Sequence, residues 1–211
     1  MPFLILSKVF VPPDNLYFVI CSSIHFIRLE RKFSIHSGGT CIGTDKTTSN
    51  ETRLGAVKDI QFAIETLNIS EEVLVIAGDN LLDFSLTKFI VYAKEKGTSC
   101  IMRYFEPSES RLHKCGVVQI DQNDKILDME EKPALPQSHW CCPPFYFYTK
   151  EDAKLVKKGI ESGCGTDAPG SYTAWLCTQT TVYAMEMPGK RYDIGNLESY
   201  EKVQKEYKGI C

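Results

Sequence analysis

No stretch of this 211-residue chain is apolar for long enough to cross a bilayer. The nearest approach, "LYFVICSSIHFI" at residues 16–27, is too short and is interrupted by Ser22, Ser23 and His25. A basic excess is also missing: 24 Lys and Arg stand against 27 Asp and Glu, for a net charge of −3. That balance offers no field to gather phosphates along a nucleic acid, so neither a nucleic-acid nor a membrane partner is expected. Paired C-x-x-C knuckles are absent as well. His113-Lys114-Cys115 and His139-Trp140-Cys141-Cys142 come closest to a zinc set, and neither has a second half. The nine cysteines are irregularly spaced and are read as reduced thiols scattered through a core. The opening "MPFLIL" has no basic leader and no small-residue cleavage site, so a cytoplasmic protein is expected. There is no internal repeat and no low-complexity tract.

What is there is ordinary globular composition, 43% apolar and 24% charged, arranged in an α/β rhythm. "LYFVI" (16–20) reads as a buried strand. In residues 51–67, Leu54, Val57, Ile60, Ile64 and Leu67 share a helical face, while Glu51, Arg53, Lys58 and Glu65 face water. "VLVIA" (73–77) is uniformly apolar, the pattern of a central parallel strand covered on both faces. A helix over 85–96 follows, with Ser85 as N-cap, Lys94 and Lys96 suiting the C-terminal dipole, and Gly97 as its stop. "SCIMRYF" is the next strand, which completes a β-α-β-α-β run with right-handed crossovers. Beyond residue 110 the spacing predicts a hairpin around Asp121–Asp124 and a strand in "PFYFYTK". It further predicts a Thr149-capped helix ended by Gly163, a strand in "TTVYAMEM" and an Asn196-capped last helix.

Within this pattern Asp79 is conspicuous. It stands one residue beyond the most apolar strand, after Gly78. In open parallel sheets ligands bind beyond the carboxyl ends of the strands. A carboxylate there suits a divalent cation, because magnesium takes one or two carboxylates plus substrate phosphates. Alternatively, Asp79-Asn80 only caps the turn before the next helix.

Four segments occur in order: "AGDN" (77–80), "GVVQID" (116–121), "MEEKP" (129–133) and "YDIGNLESY" (192–200). Together they resemble the sugar-1-phosphate nucleotidylyltransferases, the nucleotide-sugar pyrophosphorylases. "TTSNETRLGAVKDIQFAIETL" (47–67) resembles the family segment that reaches the nucleotide base and then forms a helix. The likeness covers about residues 45–205. It implies a Rossmann-like, mixed and mostly parallel sheet flanked by helices. It also implies transfer of a nucleoside monophosphate from a nucleoside triphosphate to a sugar 1-phosphate, with release of pyrophosphate. By this resemblance Asp79 and Asp193 hold Mg²⁺, Lys132 neutralises the sugar phosphate, and Glu131 accepts hydrogen bonds from sugar hydroxyls. Gly116 offers its backbone N–H to the sugar, and Gly55 lets the base lie against the backbone. Taken singly, Glu131-Lys132 could instead be an exposed ion pair, Gly116 a strand start and Asp193 an acidic turn.

The family's opening strand and its G-G-x-G-T-R-L loop find no counterpart. "SGGTCIGTDK" (37–46) holds two adjacent glycines and a threonine but no Thr-Arg-Leu, and is read as a loop. The fold is therefore expected to be N-terminally incomplete, with 1–44 a divergent segment covering part of the second strand and helix. Residues 45–211 then form the nucleotidyltransferase-like domain. Without the loop's backbone donors, slow turnover is expected beside retained sugar-phosphate binding. The competing reading is a non-enzymatic sugar-phosphate- or nucleotide-binding regulatory module on the same fold. A homo-oligomer is compatible with either.

Overall fold

Alternate residues of the apolar run 73–76 face two different cores, and the layering of the molecule follows from that. The computed structural model describes residues 16–21, 33–36, 40–43 and 54–210. Strands β1 (Leu16–Cys21), β2 (Phe33–His36) and β3 (Thr40–Gly43) precede helix α1 (Ala56–Thr66). Strands β4 (Glu72–Ala77) and β5 (Asn80–Leu82), helix α2 (Thr87–Lys96), strand β6 (Cys100–Phe105) and a short helix α3 (Glu109–Leu112) come next. Then follow β7 (Gly116–Ile120), β8 (Ile126–Glu131), β9 (Trp140–Cys142) and β10 (Phe145–Tyr148). Helices α4 (Lys150–Lys154), α5 (Val156–Glu161) and α6 (Gly170–Cys177), strands β11 (Tyr183–Glu186) and β12 (Arg191–Asp193), and helix α7 (Leu197–Glu206) complete the chain.

The main sheet runs β1-β4-β10-β6-β9-β7-β8, with β11 also paired to β6. On one face Val73 and Val75 of β4, Tyr146 and Tyr148 of β10 and Ile101 of β6 pack against Val57, Ile60 and Ala63 of α1 and Tyr172 and Leu176 of α6. On the other, Leu74, Ile76, Phe145, Phe147, Cys100 and Met102 pack against Phe89, Ile90 and Ala93 of α2. Period-two side-chain alternation produces this split. Each fully buried Val, Leu, Ile or Phe contributes about 1.5–3 kcal/mol, so the three strands with their covering helices dominate stability.

Several expectations are corrected here. β4 is parallel to β1 on one side, but its other neighbour is the antiparallel β10, which lies between β4 and β6. The sheet is therefore mixed at its centre. "SGGTCIGTDK" is not simply a loop: Thr40–Gly43 is a strand, paired antiparallel with Phe33–His36. The β-branched and apolar residues Thr40 and Ile42 favour that pairing. The second helix begins at Thr87, although Ser85 still accepts the Thr87 N–H at 3.2 Å. The stretch after Thr149 is two short helices, not one, because the chain tightens at Leu155, whose N–H donates to Asp152 O at 3.0 Å, three residues back. The helix read over 51–67 spans 56–66, with Leu54 exposed, and positions 51–53 lie outside the described residues. The hairpin, the Thr149 cap and the Asn196 cap are as expected, and Ser199 completes a capping box with Asn196.

β9 and β10 are successive stretches of chain, both antiparallel to β6, separated by Pro143-Pro144. Two residues without a backbone N–H cannot extend a ladder, so the chain changes partner there, from β7 to β4.

Candidate active site

The register brings the ends of several strands to one rim. Ala77, the last residue of β4, donates its N–H to Pro144 O; Cys142 pairs with Gly116, and Gly116 pairs with Glu131. Residues that leave β4 and β8, and those that enter β7, therefore emerge along the same edge. Asp79, Gly116, Glu131 and Lys132 all lie at these points.

Asp79 and Asp193 come together although the chain between them contains most of the fold. β12 pairs antiparallel with β5, setting Asp193 opposite Asn80, and the Ile194 N–H donates to Asp79 O at 2.7 Å. Asn80 is buried and fixes the pair: its Nδ2 donates to Asp79 Oδ1 at 2.6 Å, and its Oδ1 accepts from Arg191 Nη1 at 2.6 Å. Arg191 also lies 3.5 Å from Asp193 Oδ2, whose partner oxygen accepts the Gly195 N–H at 3.0 Å. Burial, and after it the charge of Asp193, raises the Asp79 carboxyl above its ordinary range; Arg191 and Asn80 offset part of this. Two hard oxygen donors held together against their own repulsion are a donor set that fits a divalent cation. Among the described residues no group of three or more His, Cys, Asp or Glu converges as a metal set, and substrate phosphates and water are donors that magnesium ordinarily adds to one or two carboxylates.

The second half of the site lies at the end of β8. Adjacent strand residues face opposite ways, so Glu131 and Lys132 can share a ligand only if the strand stops between them. It does: β8 ends at Glu131, and Lys132 has φ 52°, the left-handed region. Its N–H donates to Cys115 O at 3.0 Å, while Nζ, half exposed, sits 3.7 Å from Asp167. Glu131 is packed against backbone. A Cβ on Gly116 would lie 3.0 Å from Glu131 Oε2, and one on Gly170 would lie 2.0 Å from it. Only glycines leave that carboxylate its place. Burial pushes Glu131 up to about 7, with Lys132 pulling the other way.

That shift has a sign. An acid whose folded pKa is raised binds its proton more tightly in the folded state, so stability falls as pH rises from 4.5 towards 7. Denaturant midpoints measured across that window should therefore fall less steeply for Glu131→Gln than for the unsubstituted chain. Parallel curves would show that Glu131 is not held in this way.

Gly55 precedes α1 with φ 93° and ψ 154°. Its backbone packs on the 166–167 loop, where Thr166 O accepts the Val57 N–H at 3.1 Å and Asp167 O accepts the Ala56 N–H at 3.3 Å. The structure thus joins Gly55 to the loop that carries Asp167, and through it to Lys132. Arg191, Asn80, Asp167 and Gly170 were not singled out from the sequence. Asn80 lay inside the "AGDN" segment, but the other three carry no local signal and are found only through tertiary contacts.

A family model described as nucleotidyl transferase matches residues 14–209. The chain belongs to this nucleotidyl transferase family. It is similar to the glucose-1-phosphate adenylyltransferase of Fervidobacterium nodosum, with 24% identity over 62% of this chain and 32% of that protein. In fold it is similar to apo UDP-glucose pyrophosphorylase, with TM-score 0.64, 21% identity and coverage of 74% of this chain and 60% of that one. It is likewise similar to a UDP-glucose pyrophosphorylase complexed with UDP-glucose, with TM-score 0.63, 20% identity and coverage of 74% and 63%. The chain thus spans about a third of the curated relative and about three fifths of these structural neighbours. No helix among the described residues is long and apolar enough to cross a membrane.

Proposed function

We propose that the chain carries the transfer chemistry of a sugar-1-phosphate nucleotidylyltransferase. A phosphate oxygen of the sugar 1-phosphate attacks the α-phosphorus of a nucleoside triphosphate, the bond to the β-phosphate oxygen breaks, and pyrophosphate leaves. Such a reaction calls for alignment and charge neutralisation more than for a covalent nucleophile. The observation that carries the reading is the meeting of Asp79 and Asp193 at the end of β4. These two would hold Mg²⁺, which when bound supplies neutralisation between the reacting phosphates. Lys132 binds the sugar phosphate, exchanging its contact with Asp167 for the ligand. Glu131 orients the sugar through its hydroxyls, in the space that Gly116 and Gly170 leave free, with the Gly116 backbone as a further contact. Gly55 marks the side on which the base lies.

A UDP-glucose pyrophosphorylase complexed with UDP-glucose is among the structural neighbours, which supports a nucleotide and a sugar phosphate as substrates here. The test is pyrophosphate release with the common nucleoside triphosphates and hexose 1-phosphates, read beside calorimetric binding of each hexose 1-phosphate alone. The expected result is binding that weakens roughly 10–100-fold in Lys132→Gln, the size of one charge-assisted contact, with product formed only when magnesium is supplied. A folded chain that binds neither substrate overturns the reading.

A further inference from the structure

Strand pairing brings two cysteines, Cys115 and Cys141, to one small cluster. β7 and β9 run antiparallel with Val117 opposite Cys141 and Gly116 opposite Cys142. Cys115, two residues before Val117, is therefore a diagonal neighbour of Cys141 on the same face. Cys141 forms a small buried cluster with Leu112 and Val117, and Cys115 packs against that cluster. The Tyr104 hydroxyl lies 3.4 Å from Cys115 Sγ. The Arg191 guanidinium stands 5.8 Å from the Tyr104 ring centre and adds positive charge. Cys115 is partly accessible to solvent, whereas Cys141 is fully buried.

We propose that Cys115 is a peroxide-reactive thiol and Cys141 its resolving partner, so that mild oxidation closes a Cys115–Cys141 disulfide. The Cys115 thiolate attacks one oxygen of hydrogen peroxide and the O–O bond breaks. The departing hydroxide takes a proton and leaves as water, and Cys115 becomes a sulfenic acid. The Cys141 sulfur then gives up its proton and attacks the Cys115 sulfur. The S–O bond breaks, and the leaving hydroxide takes that proton as a second water. The thiol pair loses two electrons and one peroxide is reduced. The surroundings separate Cys115 from the other thiols. Donors from Cys141 and Tyr104 hold it below the ordinary thiol range, whereas burial pushes Cys100, Cys142, Cys164 and Cys177 up. Neither step depends on whether the chain transfers nucleotides. The location still matters to the site, because Cys115 O holds the Lys132 N–H.

The experiment treats the folded chain with an equimolar amount of hydrogen peroxide, blocks free thiols, and maps links by mass spectrometry. A reductant-reversible link between the peptides carrying Cys115 and Cys141 is expected. In Cys141→Ser the same treatment should leave Cys115 as a sulfenic acid that dimedone traps. Without any substitution, Cys115 should be alkylated by iodoacetamide at neutral pH at least about ten times faster than Cys164 or Cys177, which are also partly accessible. Equal rates, or peroxide treatment that leaves Cys115 unlinked, overturn the proposal. A disulfide that persists in Cys141→Ser through Cys142 removes Cys141 from its assigned role.

Discussion

Asp79→Asn is expected to raise the thermal midpoint of the metal-free chain at neutral pH while lowering magnesium-dependent turnover by about 10² to 10³. Both effects come from one arrangement. Burial and the neighbouring Asp193 raise the Asp79 carboxyl, so its ionised form is less favourable in the folded chain than in the unfolded one. Stability is therefore lost as pH rises from the ordinary carboxylate range through the folded value. Asparagine is nearly isosteric and carries no charge, so it relieves the repulsion and keeps the contact with Asn80. The same change removes one of two hard donors from the proposed cation site. The decisive readout is the midpoint with and without magnesium: the substituted chain should start higher and respond less. A magnesium response as large as that of the unsubstituted chain would place the cation elsewhere.

Gly55→Ala is expected to cost roughly 2–5 kcal/mol, by summing backbone strain and overpacking of a few kcal/mol each. At φ 93° and ψ 154° the backbone is in a region that is essentially glycine's alone. A Cβ would also meet Thr166 O at 2.4 Å, and a backbone atom cannot swing aside as a side chain can. Gly97→Ala supplies the comparison. That residue has φ 64° but nothing within 4 Å of an added Cβ, so only the left-handed penalty of about 1–2 kcal/mol remains. Urea midpoints of the two variants separate clash from strain, and near-equal losses would show that the 166–167 loop yields freely. If it yields, Asp167 moves with it, and Lys132 changes its surroundings without being touched.

Local chemistry was the part of the fold most readable from the residues. The caps at Thr149 and Asn196, the Gly97 stop and the hairpin at 121–124 each depend on a few consecutive positions, and each stands where the spacing put it. The antiparallel entry of β10 between β4 and β6 was not readable, because "FYFY" is equally apolar whichever strand it pairs with. At the candidate site the order of segments pointed to Asp79, Glu131, Lys132 and Asp193. The turn that ends β8 between Glu131 and Lys132 was half visible in Pro133, which cannot extend a ladder. What surrounds them was not. Arg191 is placed by a strand pairing across more than a hundred residues, and Gly170 reaches Glu131 from the start of a helix whose contacts no periodicity discloses.

The way β12 is attached bears on how the site opens. Among the described residues β12 pairs only with the three-residue β5, outside the main sheet, and Val203 is the one buried residue of α7. A Tyr207 hydroxyl bonded to Leu82 O and an edge-on Tyr192–Tyr207 contact supply further anchorage. Few buried contacts mean a low free energy of local opening, well below that of the sheet around β4. The C-terminal segment is therefore expected to open locally as a latch, carrying Asp193 away from Asp79 while both cores stay folded. Amide hydrogens of residues 191–206 should exchange by such sub-global openings, and each opening would dismantle half of the carboxylate pair. Occupancy of the cation site and closure of the latch then become one equilibrium: whatever bridges Asp79 and Asp193 slows exchange across the whole of α7.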